Sequence, residues 1–441
     1  MAQKLVQFDA MKILLTGAAG FIGSAIAERL LAEGHEVVAC VRDQRSLPGR
    51  DGLSVHQVDL SRILSIEDWL ALLEDIDAIV NAAGILREPR SGDFERIHFQ
   101  APMALAQACT KKGIRRFVQI SALGHADDGE FVDSKHRFDQ ALMSLPSMEA
   151  IVLRPSVVVS LRGSYGGSSM LRAMAALPGM AVLPGDGNQK IQPVWLEDLA
   201  AMVSQAISLE PATSRILDAV GPEEITLREY LLATRRWLGF SKPRIVIKAP
   251  MALVNAVNLA GDWLPAGPLG RTMGRMLVRG NVSDGSTELA ADHLAMQTRS
   301  VITGLNRSAS FVQDRWQAQL YLLAPLAWLS LIVIWLLSAL SGFMAESEAY
   351  RPILERMGVA ETFQHPLVMA TSILNLLLAG ALVLRRWIQA VLMLMLLSVL
   401  AYTLGLGLLA PEQWLDLTGG LVKNLGLIVL ILMVMVLENR R

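Results

Sequence analysis

Between residues 12 and 160, short apolar runs alternate with longer amphipathic stretches. Residues 12–16 read as a strand, 21–33 as a helix closed by Gly34, and 35–41 as the next strand. Further strands are predicted within 52–59 and at 78–81, 117–121 and 151–154, with helices at 101–112 and around 135–143. Strand and helix in repeated alternation predict an α/β fold, a doubly wound parallel sheet with helices on both faces. From 163 to 244 the pattern loosens into loops rich in glycine and proline, with helices at 196–209 and 227–238. This stretch reads as a small lobe over a substrate cleft. Residues 245–319 show no clean period and are expected to form a helical linker.

Beyond Gln319 the character changes. Residues 320–344, 366–384, 387–409 and 421–437 are apolar runs long enough to span a bilayer, with Lys423 at an edge where its side chain can snorkel. They predict a C-terminal α-helical transmembrane bundle of about four helices. The expected division is therefore 11–240, 241–319 and 320–441. Arg307 and Arg315 precede the first span, Arg385 and Arg386 fill the turn after the second, and Arg440 and Arg441 close the chain. The loop 410–420 has no Lys or Arg, and Arg351 and Arg356 stand among acids. By the positive-inside rule both termini are expected in the cytoplasm.

Composition agrees with a membrane portion: the apolar fraction is 52% and the charged fraction 18%, where about 45–50% and about 25% are usual. Net charge is −1, which leaves no electrostatic case for nucleic acid. Cys40 and Cys109 lack neighbours at metal spacing and are expected to be buried, so no metal site is expected. The apolar run after Met11 leads into a glycine motif and not a cleavage site, so the front of the chain is expected to stay in the cytoplasm.

Thr16-Gly17-Ala18-Ala19-Gly20-Phe21-Ile22-Gly23 joins the first strand to the first helix. Glycine there allows a tight turn, close approach to a pyrophosphate and close helix–strand packing, and the helix end presents N–H groups to the phosphates. This is a Rossmann-type arrangement. The second strand ends in Val41-Arg42-Asp43. Arg42, with Arg45 nearby, suits the 2′-phosphate of NADP; Asp43 is the residue type that holds the free ribose of NAD.

These residues resemble the extended and atypical short-chain dehydrogenase/reductase superfamily. The resemblance runs over about residues 11–240 and rests on the loop Thr16, Gly17, Gly20, Phe21, Ile22, Gly23. It is supported by Asp59 and Leu60 at the adenine-contacting segment, Ala82, Ala83 and Gly84 after Asn81, Ser121, and Pro155 beside the nicotinamide. Gly185-Asp186-Gly187 and the segment Gln192 to Asp198 resemble a later family landmark. The branch most similar contains the NADP-binding accessory subunit of respiratory complex I. The last third resembles the DoxX-like membrane domain that some bacterial members carry, with residues 279–316 as lesser support.

The resemblance implies chemistry by a Tyr, a Lys four residues later and an earlier Ser. The Tyr hydroxyl exchanges the substrate proton, the Lys lowers its pKa and bonds the nicotinamide ribose, and the Ser holds the substrate oxygen. Here Ser121 and Lys135 are present, but Phe131 stands at the tyrosine position. Cofactor binding survives that change; hydride chemistry is put in question. Tyr165, His125, His136 and Asp133 are the candidate replacements. The first expectation is an NADP-dependent oxidoreductase, with NAD as the other cofactor, acting at the bacterial inner membrane on a small-molecule or lipid- or quinone-like substrate. The alternative is a catalytically weak NADP-binding sensor or scaffold in a membrane complex. A sugar-nucleotide epimerase is a third reading, which needs the same missing hydroxyl.

Overall fold

The computed structural model describes residues 10–210, 213–261, 270–415 and 419–438. Arg440 and Arg441, and part of the loop 410–420, used above for orientation, lie outside them. The chain divides into two compact units, Met1–Gln319 and Leu320–Arg441.

The first unit opens with β1 (Lys12–Thr16), α1 (Phe21–Ala32), β2 (Glu36–Val41), β3 (Leu53–Gln57), α2 (Ile66–Leu70), β4 (Ala78–Asn81), α3 (Ala101–Lys112), β5 (Arg116–Ile120), α4 (Glu130–Met143) and β6 (Glu149–Pro155). A single π-helical turn, Glu95–Gln100, leads into α3. The chain goes on through β7 (Val158–Val159), α5 (Gly167–Ala175), β8 (Met180–Pro184), β9 (Lys190–Ile191), β10 (Val194–Trp195), α6 (Leu196–Ser208), β11 (Arg215–Ala219), β12 (Ile225–Thr226) and α7 (Leu227–Trp237); β11 and α6 return to the main sheet, and the others build the small lobe. Residues 241–319 supply β13 (Ile245–Ala249), α8 (Met251–Gly261), α9 (Arg271–Arg279), β14 (Glu288–Leu289), α10 (Ala290–His293) and α11 (Val301–Arg307).

The main sheet has eight strands in the order β14-β11-β6-β5-β4-β1-β2-β3, and its pairings are parallel. The expected doubly wound parallel sheet is therefore present. Alternation along β1 explains its two-sided core. Ile13 and Leu15 pack with Ile26 and Leu30 of α1 and Leu199 and Val203 of α6. Leu14 points the other way, to Trp69, Leu105, Phe117 and Phe138. Cys40 and Cys109 lie in that second layer, where burial pushes both thiols up to about 12. The strand order reverses between β1 and β4, and the crevice beyond their C-terminal ends is where such sheets bind ligands.

The stretch 241–319, expected as a helical linker, is structural in its own right. β14 pairs with β11 on the main sheet, and β13 pairs with β8 of the lobe. Short strands of two and five residues carry too little period to be seen in sequence. Residues 279–316 likewise belong to the first unit and not to the DoxX-like region.

The chain continues with α12 (Val312–Phe343), α13 (Ser347–Arg356), α14 (Glu361–Val383), α15 (Ile388–Leu409) and α16 (Gly420–Leu437). Four of these, α12, α14, α15 and α16, are long and apolar enough to cross a membrane. The second unit has its own packed interior, with Leu331, Trp335, Leu378, Leu392, Met395 and Ile431 at its centre. Leu326, Leu337, Leu377, Leu408 and Val436 are exposed on its outside, as lipid-facing side chains must be. The expected spans are thus recovered, with α12 starting earlier than the apolar run.

Gly304 of α11 packs on the lobe: a Cβ there would lie 2.3 Å from Cζ2 of the buried Trp195. Overpacking of this kind costs about 1–3 kcal/mol. Gly304→Ala is expected to lower the thermal midpoint of the purified protein, followed by tryptophan fluorescence. An unchanged midpoint would show that the indole yields without cost.

Candidate functional site

The site begins at the turn after β1. Gly17 has φ +69°, and a Cβ on it would come within 2.8 Å of the Ala83 backbone at the end of β4. A Cβ on Gly23 would lie 2.1 Å from the Gly17 carbonyl oxygen. Only glycine lets β1, β4 and α1 converge so closely. The helix starts at Gly20 with no side-chain cap and no acid in its first turn. Its free N–H groups and positive dipole end are left to face an anion. A backbone cradle with an uncapped helix end fits a dinucleotide pyrophosphate. Phe21 and Ile22 sit half-buried in that first turn.

Below the cradle, buried polar groups tie the strand ends together. Thr16 Oγ1 donates to Asn81 Oδ1, and Asn81 Nδ2 donates to Gln119 Oε1 at 2.7 Å. Each pair is also in register across β1, β4 and β5. Buried amides that satisfy one another in this way hold a rigid floor.

At the end of β2, the two residues that bear on the choice between NADP and NAD differ in their partners. Asp43 Oδ1 accepts from Arg45 N and Nε at 3.0 and 3.1 Å, and Oδ2 accepts from Nη2 at 2.9 Å. That guanidinium holds the carboxyl below its usual range. The exposed Arg42 side chain has no hydrogen bond or ion pair among the described residues, and its charge helps to lower the Asp59 carboxyl after the larger effect of Ser61. Asp59 accepts from Ser61 N and Oγ, and half-buried Leu60 follows it.

Across the switch point, Phe131, Lys135 and Asp139 stand at steps of four on α4 and share one face. Lys135 Nζ donates to the Ile120 carbonyl at 2.9 Å and lies 3.5 Å from that of Ala83. Burial pulls its pKa from 10.5 down to about 8. A Cβ on Gly84 would meet that Nζ at 3.2 Å, so the glycine leaves room for the ammonium.

Ser121, which follows β5, donates from Oγ to Asp139 Oδ2 at 2.7 Å. Arg154 Nε and Nη2 reach the same oxygen at 3.1 and 3.0 Å. Asp139 is fully buried, its Oδ1 has no partner, and desolvation raises its pKa. While Asp139 is ionised, the Ser121 proton is committed downward, and Oγ offers lone pairs to the cleft.

The Phe131 ring is edge-on to Phe94 and His98, with centroids 6.4 and 5.8 Å away. His98 Nε2 accepts from the Ile85 N–H at 3.0 Å, so Nδ1 carries the proton and donates to Ser134 Oγ at 2.8 Å. Burial first, and the Lys135 charge second, pull this imidazole down to about 2. It is a neutral structural ring.

Of the candidate replacements for the tyrosine, only His136 adjoins the site, where its charge bears on Asp139. Tyr165 is 59% exposed. Asp133 is paired with Arg137 at 3.0 Å, and His125 is exposed. His136 donates from Nε2 to the Ala122 carbonyl at 2.9 Å, and burial lowers its pKa. Sequence reasoning missed Asp139, His98 and Asn281. Asn281 accepts from Ser156 Oγ at 2.6 Å, which ties the segment after α9 to the half-buried Pro155 turn. Of the three, only Asp139 carried a signal, its spacing of four from Lys135. Among the described residues there is no cluster of His, Cys, Asp or Glu that could hold a metal.

Residues 13–216 match the NAD dependent epimerase/dehydratase family, and residues 332–432 the DoxX-like family. The chain is 31% identical over 269 residues to the divinyl chlorophyllide a 8-vinyl-reductase of Oryza sativa, which covers 57% of the chain and 64% of that protein. It is 25% identical over 266 residues to subunit 9 of the NADH dehydrogenase [ubiquinone] 1 alpha subcomplex of Arabidopsis thaliana, with coverage of 56% and 62%. The chain thus spans less than two thirds of the length of these relatives. The UDP-glucose 4-epimerase of Thermotoga maritima, solved with UDP-glucose, shares the fold at a TM-score of 0.51 and 17% identity, over 67% of this chain and 96% of that one. The chain therefore carries a domain of the NAD dependent epimerase/dehydratase family joined to a C-terminal DoxX-like domain.

Proposed function

We propose that this is a membrane-anchored, NADP-binding oxidoreductase-like protein whose usual acid/base hydroxyl has been replaced by Phe131. The observation that carries the reading is the convergence of the uncapped glycine cradle with Lys135 and Ser121 across one switch point. In this reading Thr16, Gly17, Gly20, Phe21, Ile22 and Gly23 hold the pyrophosphate. Asp59, Leu60, Ala82, Ala83, Gly84 and Pro155 line the rest of the dinucleotide, and Lys135 bonds its ribose. The nicotinamide supplies a hydride; the chain supplies position, a buried cation and a serine oxygen. NADP is favoured over NAD because Asp43 is already occupied by Arg45 while the Arg42 guanidinium has no partner of its own.

Two substrate classes suit the site. A lipid- or quinone-like molecule accounts for the anchor. The rice relative is named as the reductase of a vinyl group, a reaction in which no carbonyl oxygen takes up a proton. The second reading is a nucleotide-binding sensor or assembly module of a membrane complex. Phe131 locked among Phe94 and His98 supports it, as does the likeness to a subunit of the ubiquinone-linked NADH dehydrogenase. We place the protein in a bacterial inner membrane with both termini cytoplasmic.

NADPH is expected to bind more tightly than NADH, and Arg42→Asp to reverse the order. A hydrogen bond to a charged group is worth about 1.5–3 kcal/mol, so the preference should exceed tenfold or so. Fluorescence titration of both nucleotides measures it. Equal affinities, unchanged in the variant, would remove Arg42 from the site.

Phe131→Tyr returns one hydroxyl next to Lys135 on α4. General acid/base catalysis contributes about 10²–10⁴-fold, so NADPH oxidation with quinones or aldehydes should rise visibly while NADPH affinity holds. Lys135→Ala should weaken NADPH binding first. No gain on any substrate, with NADPH still bound, would favour the sensor reading.

Reporter fusions at Arg441 and within 410–420 should report opposite sides of the membrane. A C-terminal fusion active outside would overturn the proposed orientation.

A further inference from the structure

α8 is an inverted surface helix. It carries no charged side chain, yet among its described side chains only Asn258 and Gly261 are buried. Leu253 (57%) and Leu259 (52%) are half exposed, and Val257 faces outward with them. A helix at a water interface shows the reverse, apolar inward and polar outward. α9 packs beside it: a Cβ on Gly274 would lie 2.4 Å from Asn258 Nδ2. It adds the exposed Val278 and Arg275. The preceding strand continues the pattern. Among the described residues β13 pairs only with β8, and it leaves Ile245, Val246 and Ile247 exposed in a row. Lys242 and Arg244, both exposed, flank that row, and the exposed Lys248 at its other end is paired with Asp186 at 2.5 Å.

This plate lies beside the candidate site. Arg87 Nη1, after β4, donates to the Gly261 carbonyl at 2.8 Å. Arg275 Nη1 donates to the Asp127 carbonyl at 2.9 Å, and Arg279 Nη2 to Asp128 Oδ2 at 2.7 Å. A Cβ on Gly129 would sit 2.2 Å from Thr272 Oγ1. α8 and α9 therefore rest on the loops that leave β4 and β5, the two strands whose ends carry Gly84 and Ser121.

We propose that the outer face of β13, α8 and α9 is a docking surface for an anionic lipid bilayer. The apolar side chains enter the boundary between headgroups and acyl chains, and the basic residues meet the headgroups. Apolar side chains set beside basic ones make up a membrane-surface segment, and here α8 and β13 supply the first while Arg275, Lys242 and Arg244 supply the second. Among the described residues the same chain carries four helices long and apolar enough to span a bilayer.

The test uses the full chain reconstituted into vesicles of phosphatidylcholine and phosphatidylserine. Leu253→Cys, Val257→Cys and Val278→Cys are each labelled with an environment-sensitive fluorophore, with Lys111→Cys as the water-exposed control. Cys40 and Cys109 are buried and stay unlabelled. Nitroxide groups on the lipid acyl chains should quench the first three by about twofold or more, as burial near the headgroup boundary requires, and leave the control bright. Lys242→Glu with Arg244→Glu should weaken the quenching, since each basic residue near an anionic surface contributes about fivefold to binding. Emission equal to the control at all three positions would overturn the proposal. So would a blue shift without nitroxide quenching, the signature of a protein neighbour, whether this chain's own helices, a second copy or another protein. NADPH titration of the same vesicles separates the two readings: binding without quenching fails the docking surface alone, and quenching without binding fails the nucleotide site alone.

Discussion

A buried ammonium governs the site. Lys135 is buried between α4, the end of β5 and the turn after β4, where an unsatisfied charge would cost several kcal/mol. Its nearest carbonyl, Ile120, ends the central strand, and the Ala83 carbonyl lies on the opposite side of the same cleft. To keep that ammonium satisfied, α4 must lie tight against β5, and Gly84 must be without a side chain. The same closeness sets the Ser121 hydroxyl on Asp139 and brings the His98 ring under Phe131.

The parts of this arrangement that local pattern controls were legible. Alternating periods gave the parallel sheet, the glycine octet gave the cradle, and uncharged runs gave the spans, because each is set by neighbours a few residues apart. Where two long-range segments meet, sequence was silent. Asn281 reaches Ser156 across 125 positions, and His98 reaches Ser134 across 36. The stretch 241–319 holds helices as expected, but its pairings with β8 and β11 were hidden for a different reason. Its strands are too short to show a period, and a helix such as α8, apolar on its exposed face, has no inside-to-outside contrast for a period to reveal.

In the proposed reading, position 131 holds a phenylalanine where the resemblance implies a tyrosine. Phe131 keeps the shape of the missing ring, and its edge-on contacts with Phe94 and His98 are satisfied without a hydroxyl. His98 does not fill the vacancy, since burial keeps it neutral and both its nitrogens are engaged. Ser121 does not fill it either while its proton is held by an ionised Asp139.

Asp139 itself is the remaining variable. Burial raises its pKa, while the Ser121 hydroxyl and the Arg154 guanidinium, both on Oδ2, oppose the rise. The other oxygen, Oδ1, is buried and unpartnered, which is where a proton would reside if the carboxyl took one up. With the proton on Oδ1, Oδ2 is a carbonyl oxygen that still accepts from Ser121 and Arg154, so protonation loosens the hold on the Ser121 hydrogen without reversing it. A carbonyl that took up hydride would need a proton for its new alkoxide, and Ser121 could give one only if its own oxygen were resupplied. Asp139 therefore sets how firmly the Ser121 hydrogen is held, from a position four residues beyond Lys135 on the same helix face.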